Sequence, residues 1–230
     1  MGFIDTLVKL FHQGGPMVMS SIFFTFTLAM IVIVERSIRY WLHFDMANSS
    51  SFMATVQKMV MNNSIENAIR LCKGARPRLV PYVLGEGLKR ANDTEEEIEN
   101  ALEHATLSVI PRVMKGVAFL GTVANVATLL GLLGTIFGLM KSFGAAAHAT
   151  GAQKQTILAE GISEALIATS FGLSTALLCI LAHGFLTIKQ TSIINDIHRN
   201  VAQLTDLLYT RKVKFRSNSG SQPQSSRHES

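Results

Sequence analysis

The chain has 230 residues, 48% of them hydrophobic and only 16% charged, against roughly a quarter charged in ordinary soluble domains. The shortage of charge is concentrated in three stretches, which argues against one large soluble core and for an all-α protein that crosses a membrane three times. The net charge of +5 does not indicate nucleic-acid binding, because the basic residues flank the apolar stretches and no aromatic-rich basic face accompanies them.

Residues 1–15 are predicted to form a short amphipathic lead, with Phe3, Leu7, Leu10 and Phe11 at near-helical spacing before Gly14-Gly15-Pro16 interrupts it. Residues 16–34 form the first span; Pro16–Val34 contains no charge and is long enough to cross ~30 Å of hydrocarbon as a helix. Only Lys9 precedes that run, whereas Arg36 and Arg39 follow it, so it reads as a retained span rather than a cleaved leader. Residues 35–115 are a helical cytoplasmic loop. Within it, Phe52, Val56, Met59 and Val60 repeat at helical period, Asn63-Ser64 opens a helix holding Ile65, Ala68, Ile69 and Cys72, and Gly74–Pro77 is a loop. Asp93-Thr94 precedes Glu95, Glu96 and Glu97, an acidic first turn that suits a helix dipole. That helix is expected to pass through Pro111 as a kink and run on to Phe143, about 46 residues from Ile98. Residues 116–143 are the second span, 144–159 an outer turn and 160–188 the third span. Residues 189–216 continue as an amphipathic helix through Ile197, Val201, Leu204 and Leu208, and the Ser-rich residues 217–230 are expected to be disordered.

Lys and Arg number one in residues 1–34, eleven in 35–115, two in 116–188 and seven in 189–230. Positive flanks favour the cytoplasm, so the N-terminus is expected outside and the C-terminus inside. Cys72 and Cys179 fall in different environments without a Cys or His at metal-ligand spacing, so free thiols are expected and no metal. An enzyme is not expected either. Ser174 and His183 lie about 13 Å apart along one helix, too far to hydrogen-bond, and no pair of Asp residues stands at depth.

On a helical wheel the second span has one small and polar side: Ala124, Ala127, Thr128, Gly131, Gly134, Thr135, Gly138, Lys141 and Ser142. In the third, Glu160, Ser163, Glu164, Ser170, Ser174 and Thr175 share an arc of about 140° at 100° per residue. A stripe of small residues, Gly161, Ala165, Ala168, Gly172 and Ala176, runs beside it. The small stripes read as close helix–helix contact and the polar arc as hydrated. Thr169 and His183 fall on the small side, and His183 reads as a packed neutral side chain. Glu160 and Glu164 are the only acidic residues between His104 and Asn195. An ionisable group at membrane depth is a functional-site candidate, and Glu164 is the deeper of the two. Two readings of it stay open: a protonatable carboxylate on a hydrated interhelical path, or a solvated group near the start of a helix capped by Thr156.

Gly131-Leu132-Leu133-Gly134-Thr135-Ile136-Phe137-Gly138-Leu139-Met140, followed by Ser142-Phe143, resembles the second-span signature of the MotA/TolQ/ExbB proton channel family. Gly161-Ile162-Ser163-Glu164-Ala165-Leu166-Ile167-Ala168-Thr169-Ser170-Phe171-Gly172-Leu173 resembles its third-span signature. The three-span layout agrees over nearly the whole chain, and the short cytoplasmic loop favours the ExbB/TolQ side over flagellar stators. The resemblance implies a pentamer in the bacterial inner membrane around a one-span ExbD/TolR-type partner with an intramembrane Asp, and a TonB- or TolA-type protein beyond it. It implies protons as the coupling ion with no other cofactor, and Thr135, Glu164 and Thr169 on the proton path. Glu160, Ser170 and Ser174 are secondary lining; Gly131, Gly134, Gly138, Gly161, Ala165, Ala168 and Gly172 are packing positions. Thr128 stands where the family commonly has proline, and a bond from its hydroxyl to the preceding turn could substitute for the missing kink. A non-conducting scaffold that anchors such a partner is the alternative.

Overall fold

The computed structural model of the chain describes residues 2, 11, 13–40, 49–75 and 78–220, with side-chain surroundings through Lys214. Every regular element among the described residues is a helix: α1 Pro16–Arg39, α2 Ser49–Met61, α3 Ile65–Gly74, α4 Leu79–Lys89, α5 Glu95–Met114, α6 Val117–Ala147 and α7 Ala152–Gly220. Three of these stretches are long and apolar enough to cross a membrane, Pro16–Arg39, Glu95–Ala147 and Ala152–Lys214. Most of the expected N-terminal lead falls outside the described residues; Phe11 itself meets the ring of Phe23 edge-on at 6.3 Å.

The chain divides into two compact units. The first comprises Met1–Ile38 and Lys115–Ile188 and holds α1, α6 and the first part of α7. Pro16 opens α1, where its missing N–H costs nothing, and Gly15 just before it takes φ +81°. The hydroxyls of Ser20, Thr25 and Thr27 donate to carbonyls one turn earlier, which removes the cost of carrying them into an apolar segment. Ala29, Val123, Ala124, Ala127, Ala176 and Cys179 form the buried core of this unit. Leu129, Leu132, Ile136, Met140, Leu166, Leu173, Leu177 and Phe185 are turned outward, as lipid-facing side chains are.

The second unit comprises Arg39–Met114 and Lys189–Ser230. Its centre is α4, a helix whose Leu79, Val80, Val83, Leu84 and Leu88 are all buried. Sequence reading had not singled this segment out, because Pro81 and two glycines obscure its period. The glycines are packing positions: a Cβ on Gly87 would run into Leu102 of α5, and one on Gly85 would press on Cys72 of α3. Ala68 and Cys72, Val56 and Val60, and Ile197, Leu204 and Leu208 are buried on their respective helices. Burial pushes the Cys72 thiol up to about 11.

Thr94 and Glu97 close a reciprocal cap at the start of α5. The Thr94 N–H donates to Glu97 Oε2 at 2.9 Å and the Glu97 N–H to Thr94 Oγ1 at 3.3 Å, the S/T-x-x-E arrangement that satisfies two end donors at once. The backbone N–H and then the hydroxyl of Thr94 hold the Glu97 carboxyl below its ordinary range. From α7, Arg211 donates to Asn63 and Asn92 and Lys212 to the carbonyl of Asp93, tying the final helix to the turns before α3 and α5.

Two sequence expectations change. The helix from Ile98 does not run unbroken to Phe143. It includes Pro111 and stops at Met114, and Gly116 takes the left-handed conformation, φ +87°, before α6 starts. A residue without a Cβ at that point permits both the turn and the close approach of the Arg36 guanidinium. The tail expected to be disordered from residue 217 is helical through Gly220; residues 221–230 lie outside those described.

Candidate functional site

The small residues of the second and third spans face one another in antiparallel register. Gly131 meets Gly172, Gly134 meets Ala168, Gly138 meets Ala165, and Ser142 meets Gly161. The contact is tightest between glycines: a Cβ on Gly172 would lie 2.7 Å from Gly131 Cα and 2.8 Å from the Ala127 carbonyl oxygen. Bare backbone against bare backbone is what lets apolar helices approach closely enough for dispersion and polar contacts to hold them without a hydrophobic driving force.

At this crossing Thr169 donates its hydroxyl to the Gly131 carbonyl at 2.9 Å, from one span to the other. Thr135, one turn along α6, donates instead to its own helix, at the Leu132 carbonyl, 2.6 Å. Thr128 donates to the Ala124 carbonyl at 3.1 Å, and α6 continues through that position without interruption.

The polar arc of the third span divides. Glu160, Ser163, Ser170 and Ser174 are exposed, with the hydroxyls of Ser170 and Ser174 donating back to the carbonyls of Leu166 and Ser170. Thr175 is buried and Glu164 is turned inward. Glu164 has a partner that sequence reading missed: Lys141 Nζ lies 3.1 Å from its Oε2 and 3.4 Å from its Oε1. The lysine side chain is 71% exposed and the glutamate side chain 21%, so the pair has a wet side and a dry side. On the dry side is the start of α1, where a Cβ on Gly15 would fall 2.5 Å from Glu164 Oε1. Lys141 is the one charge in the second span, which is the signal the sequence offers; the antiparallel register of the glycines then puts it opposite Glu164.

Thr169 and Gly131 are thus joined at the seam, Glu164 and Lys141 are joined about 7 Å further along the helix, and the Thr135 hydroxyl stays within its own helix. His183 stands near Gly121, half-buried between the spans. Cys179 is buried as a free thiol. Among the described residues no group of three or more His, Cys, Asp or Glu could hold a metal.

Comparison with known proteins gives a consistent result. The sequence model described as the MotA/TolQ/ExbB proton channel family matches residues 53–199. A putative biopolymer transport protein ExbB homolog of Methanothermobacter thermautotrophicus is 25% identical over 193 residues, 81% of this chain and 65% of that protein. The Tol-Pal system protein TolQ of Haemophilus influenzae is 39% identical over 93 residues, 40% of each chain. The putative ExbB-like 3 protein of Synechocystis is 32% identical over 155 residues, covering 67% of this chain and 72% of that one. The match thus spans less than two thirds of the first two relatives. A chain in the structure of C. jejuni MotAB superposes with a TM-score of 0.62 over 96% of this chain and 86% of its own, at 14% identity, a likeness of fold.

Proposed function

Because this chain belongs to the MotA/TolQ/ExbB proton channel family, we propose that it is the three-span subunit of a complex that turns proton-motive force into mechanical work. Five copies surround the membrane helices of a one-span ExbD/TolR-type partner that brings an intramembrane Asp, the group this chain does not supply within its spans. The complex sits in the bacterial inner membrane with this chain's N-terminus periplasmic and C-terminus cytoplasmic, and the proton is its coupling ion. A TonB- or TolA-type protein, or a machinery of envelope maintenance or motility, receives the work. Each proton crossing ~100 mV releases about 2.3 kcal/mol, so a useful stroke needs several protons or tight coupling.

The observation that carries this reading is the α6–α7 hairpin, two apolar helices in glycine contact that hold one half-buried carboxylate, Glu164, and one hydroxyl bonded across the seam, Thr169. An ionisable group kept in such a place needs a reason to be there. Thr135, Glu164 and Thr169 form the route, with Glu160, Ser170 and Ser174 lining its hydrated side, and conduction requires the Thr169–Gly131 bond to exchange with water. One observation favours the non-conducting scaffold instead: the hydroxyls of Thr135 and Thr169 both donate to backbone carbonyls, so that each can accept from a water chain but neither donates to it.

Proton uptake into vesicles that hold the chain with its one-span partner separates the two. Glu164→Gln and Thr135→Val should assemble and conduct markedly less than wild type. Full flux in both, with the partner present, refutes the route.

A further inference from the structure

We infer that Lys141 is a positioning residue for Glu164: its ammonium holds the carboxylate beside the start of α1, so that the group that takes up and gives back the proton stays in one place. This rests on the proposed route through Glu164.

The geometry is that of a bracket. Glu164 lines a groove with Gly15, Pro16, Val18, Phe137 and Met140, and Lys141 stands at its lip. Apart from the lysine, the groove-lining residues Gly15–Val18 and those of α6 present no ionisable side chain. The other charge near Glu164 among the described residues is Glu160, one turn earlier on α7 and exposed. Among the described residues the carboxylate therefore has one attractive partner, Lys141. The absence of a Cβ at Gly15 makes room for Oε1 there. When a proton converts the carboxylate to the carboxylic acid, Lys141 stays an ammonium and the pair loses its Coulomb attraction, while the neutral acid is cheaper to keep against the apolar groove than the carboxylate was. The side chain therefore stays beside Gly15 in both forms, and the part of the lysine is to hold the charged one there.

The test uses vesicles holding the chain with its one-span partner, proton uptake read by an internal pH dye, and thermal stability of the same purified complexes. Lys141→Met should lower uptake by up to about 100-fold, the scale of misplacing a reacting group, while Lys141→Arg, which keeps the cation, stays near wild type. The reversed pair Lys141→Glu/Glu164→Lys should regain the stability lost in Lys141→Glu alone yet remain without flux, because a bracket can be mirrored and a proton-carrying carboxylate at position 164 cannot. Wild-type flux in Lys141→Met, equal damage from Lys141→Arg and Lys141→Met, or flux restored in the reversed pair would each overturn the inference. If Lys141→Met does not assemble, the Lys141→Arg and reversed-pair results decide. Glu164→Gln distinguishes the levels: full flux there sinks the route itself, whereas impaired flux there beside normal flux in Lys141→Met sinks only the role of the lysine.

Discussion

Adding a single methyl group at Gly172 tests the seam on which the whole site is built. The new Cβ would lie 2.7 Å from Gly131 Cα, 2.8 Å from the Ala127 carbonyl oxygen and 3.0 Å from the Gly131 nitrogen. All three neighbours are backbone, so no side chain can rotate away, and α6 and α7 must separate by most of an ångström to reach ordinary contact. Overpacking of this kind costs about 1–3 kcal/mol. The better helix propensity of alanine returns up to about 1 kcal/mol, and separation also lengthens the Thr169–Gly131 hydrogen bond, worth about 1 kcal/mol. Gly172→Ala should therefore be destabilised by about 1–3 kcal/mol. Gly184→Ala is the control on the same helix, since a Cβ there meets nothing within 4 Å, and it should be neutral or slightly stabilising. Thermal unfolding of the two purified variants in one detergent checks this. If Gly172→Ala is as stable as Gly184→Ala, the glycines do not set the approach of the two spans. The same contacts change what the small-residue stripes are expected to do: they bind two helices of one chain, so Gly134→Leu, aimed at Ala168 and Val18, should disrupt the protomer before any oligomer.

Thr94→Ala should cost about 1 kcal/mol at neutral pH through loss of the helix cap. Because Glu97 has a lowered carboxyl in the folded chain, the stability it adds is present above its unfolded value and fades as pH falls through the folded one; the gap between wild type and Thr94→Ala should narrow in acid without closing, since the Glu97 N–H bond to Thr94 Oγ1 does not titrate, and a gap that does not change with pH would refute the part of the carboxylate in the cap. Cys72, raised to about 11 by burial, should resist alkylation at pH 8 and react only once denatured; labelling at the rate of a free thiol would show the α3–α4 contact to be open. A cysteine replacing the exposed Glu103 on α5 should label from the cytoplasmic side alone, and labelling from outside would invert the proposed orientation.

The fold was legible wherever period and composition act together. Pro16–Val34 has no charge to place in lipid, and α1 runs the same course with five residues more. The wheel positions of Gly131, Gly134, Gly138, Ala165, Ala168 and Gly172 could be read as contact positions because small residues recur on one face. Which helix they meet is not a property of either sequence segment alone. The 303 sum-rule of the pairs, 131 with 172 and 142 with 161, follows from the length of the outer turn, and the Lys141–Glu164 pair follows from that register. Two failures have simple causes. The central α4 was hidden because a helix buried on nearly all sides has no polar face to set a period. The break at Gly116 was not legible, because Pro111 drew attention as a kink in a helix expected to be continuous; α5 accommodates Pro111 within its last turn, and the interruption falls where a left-handed residue is required.

That left-handed residue sits against the most unusual charge among the described residues. Arg36 is 5% exposed, and its Nε and Nη1 find no hydrogen-bond partner among the described residues. A Cβ on Gly116 would stand 2.5 Å from Arg36 Nε and 2.9 Å from Cζ and Nη2. Gly116→Ala thus carries two separable costs: about 1–2 kcal/mol for an L-residue in the left-handed region, and a collision that a buried guanidinium has little room to avoid. Arg36→Met removes the collision but leaves the backbone strain. It should itself cost little in the purified chain, because losing a buried group with unpaired donors relieves desolvation while keeping most of the apolar stem. The double variant should therefore be more stable than the sum of the single effects predicts, with a coupling of about 0.5–3 kcal/mol, the range for residues in contact. Thermal unfolding of the four proteins gives the cycle. Additivity would mean that Gly116 is needed for its φ alone, and a large loss in Arg36→Met would mean that the guanidinium is neutralised by a group the cycle does not include.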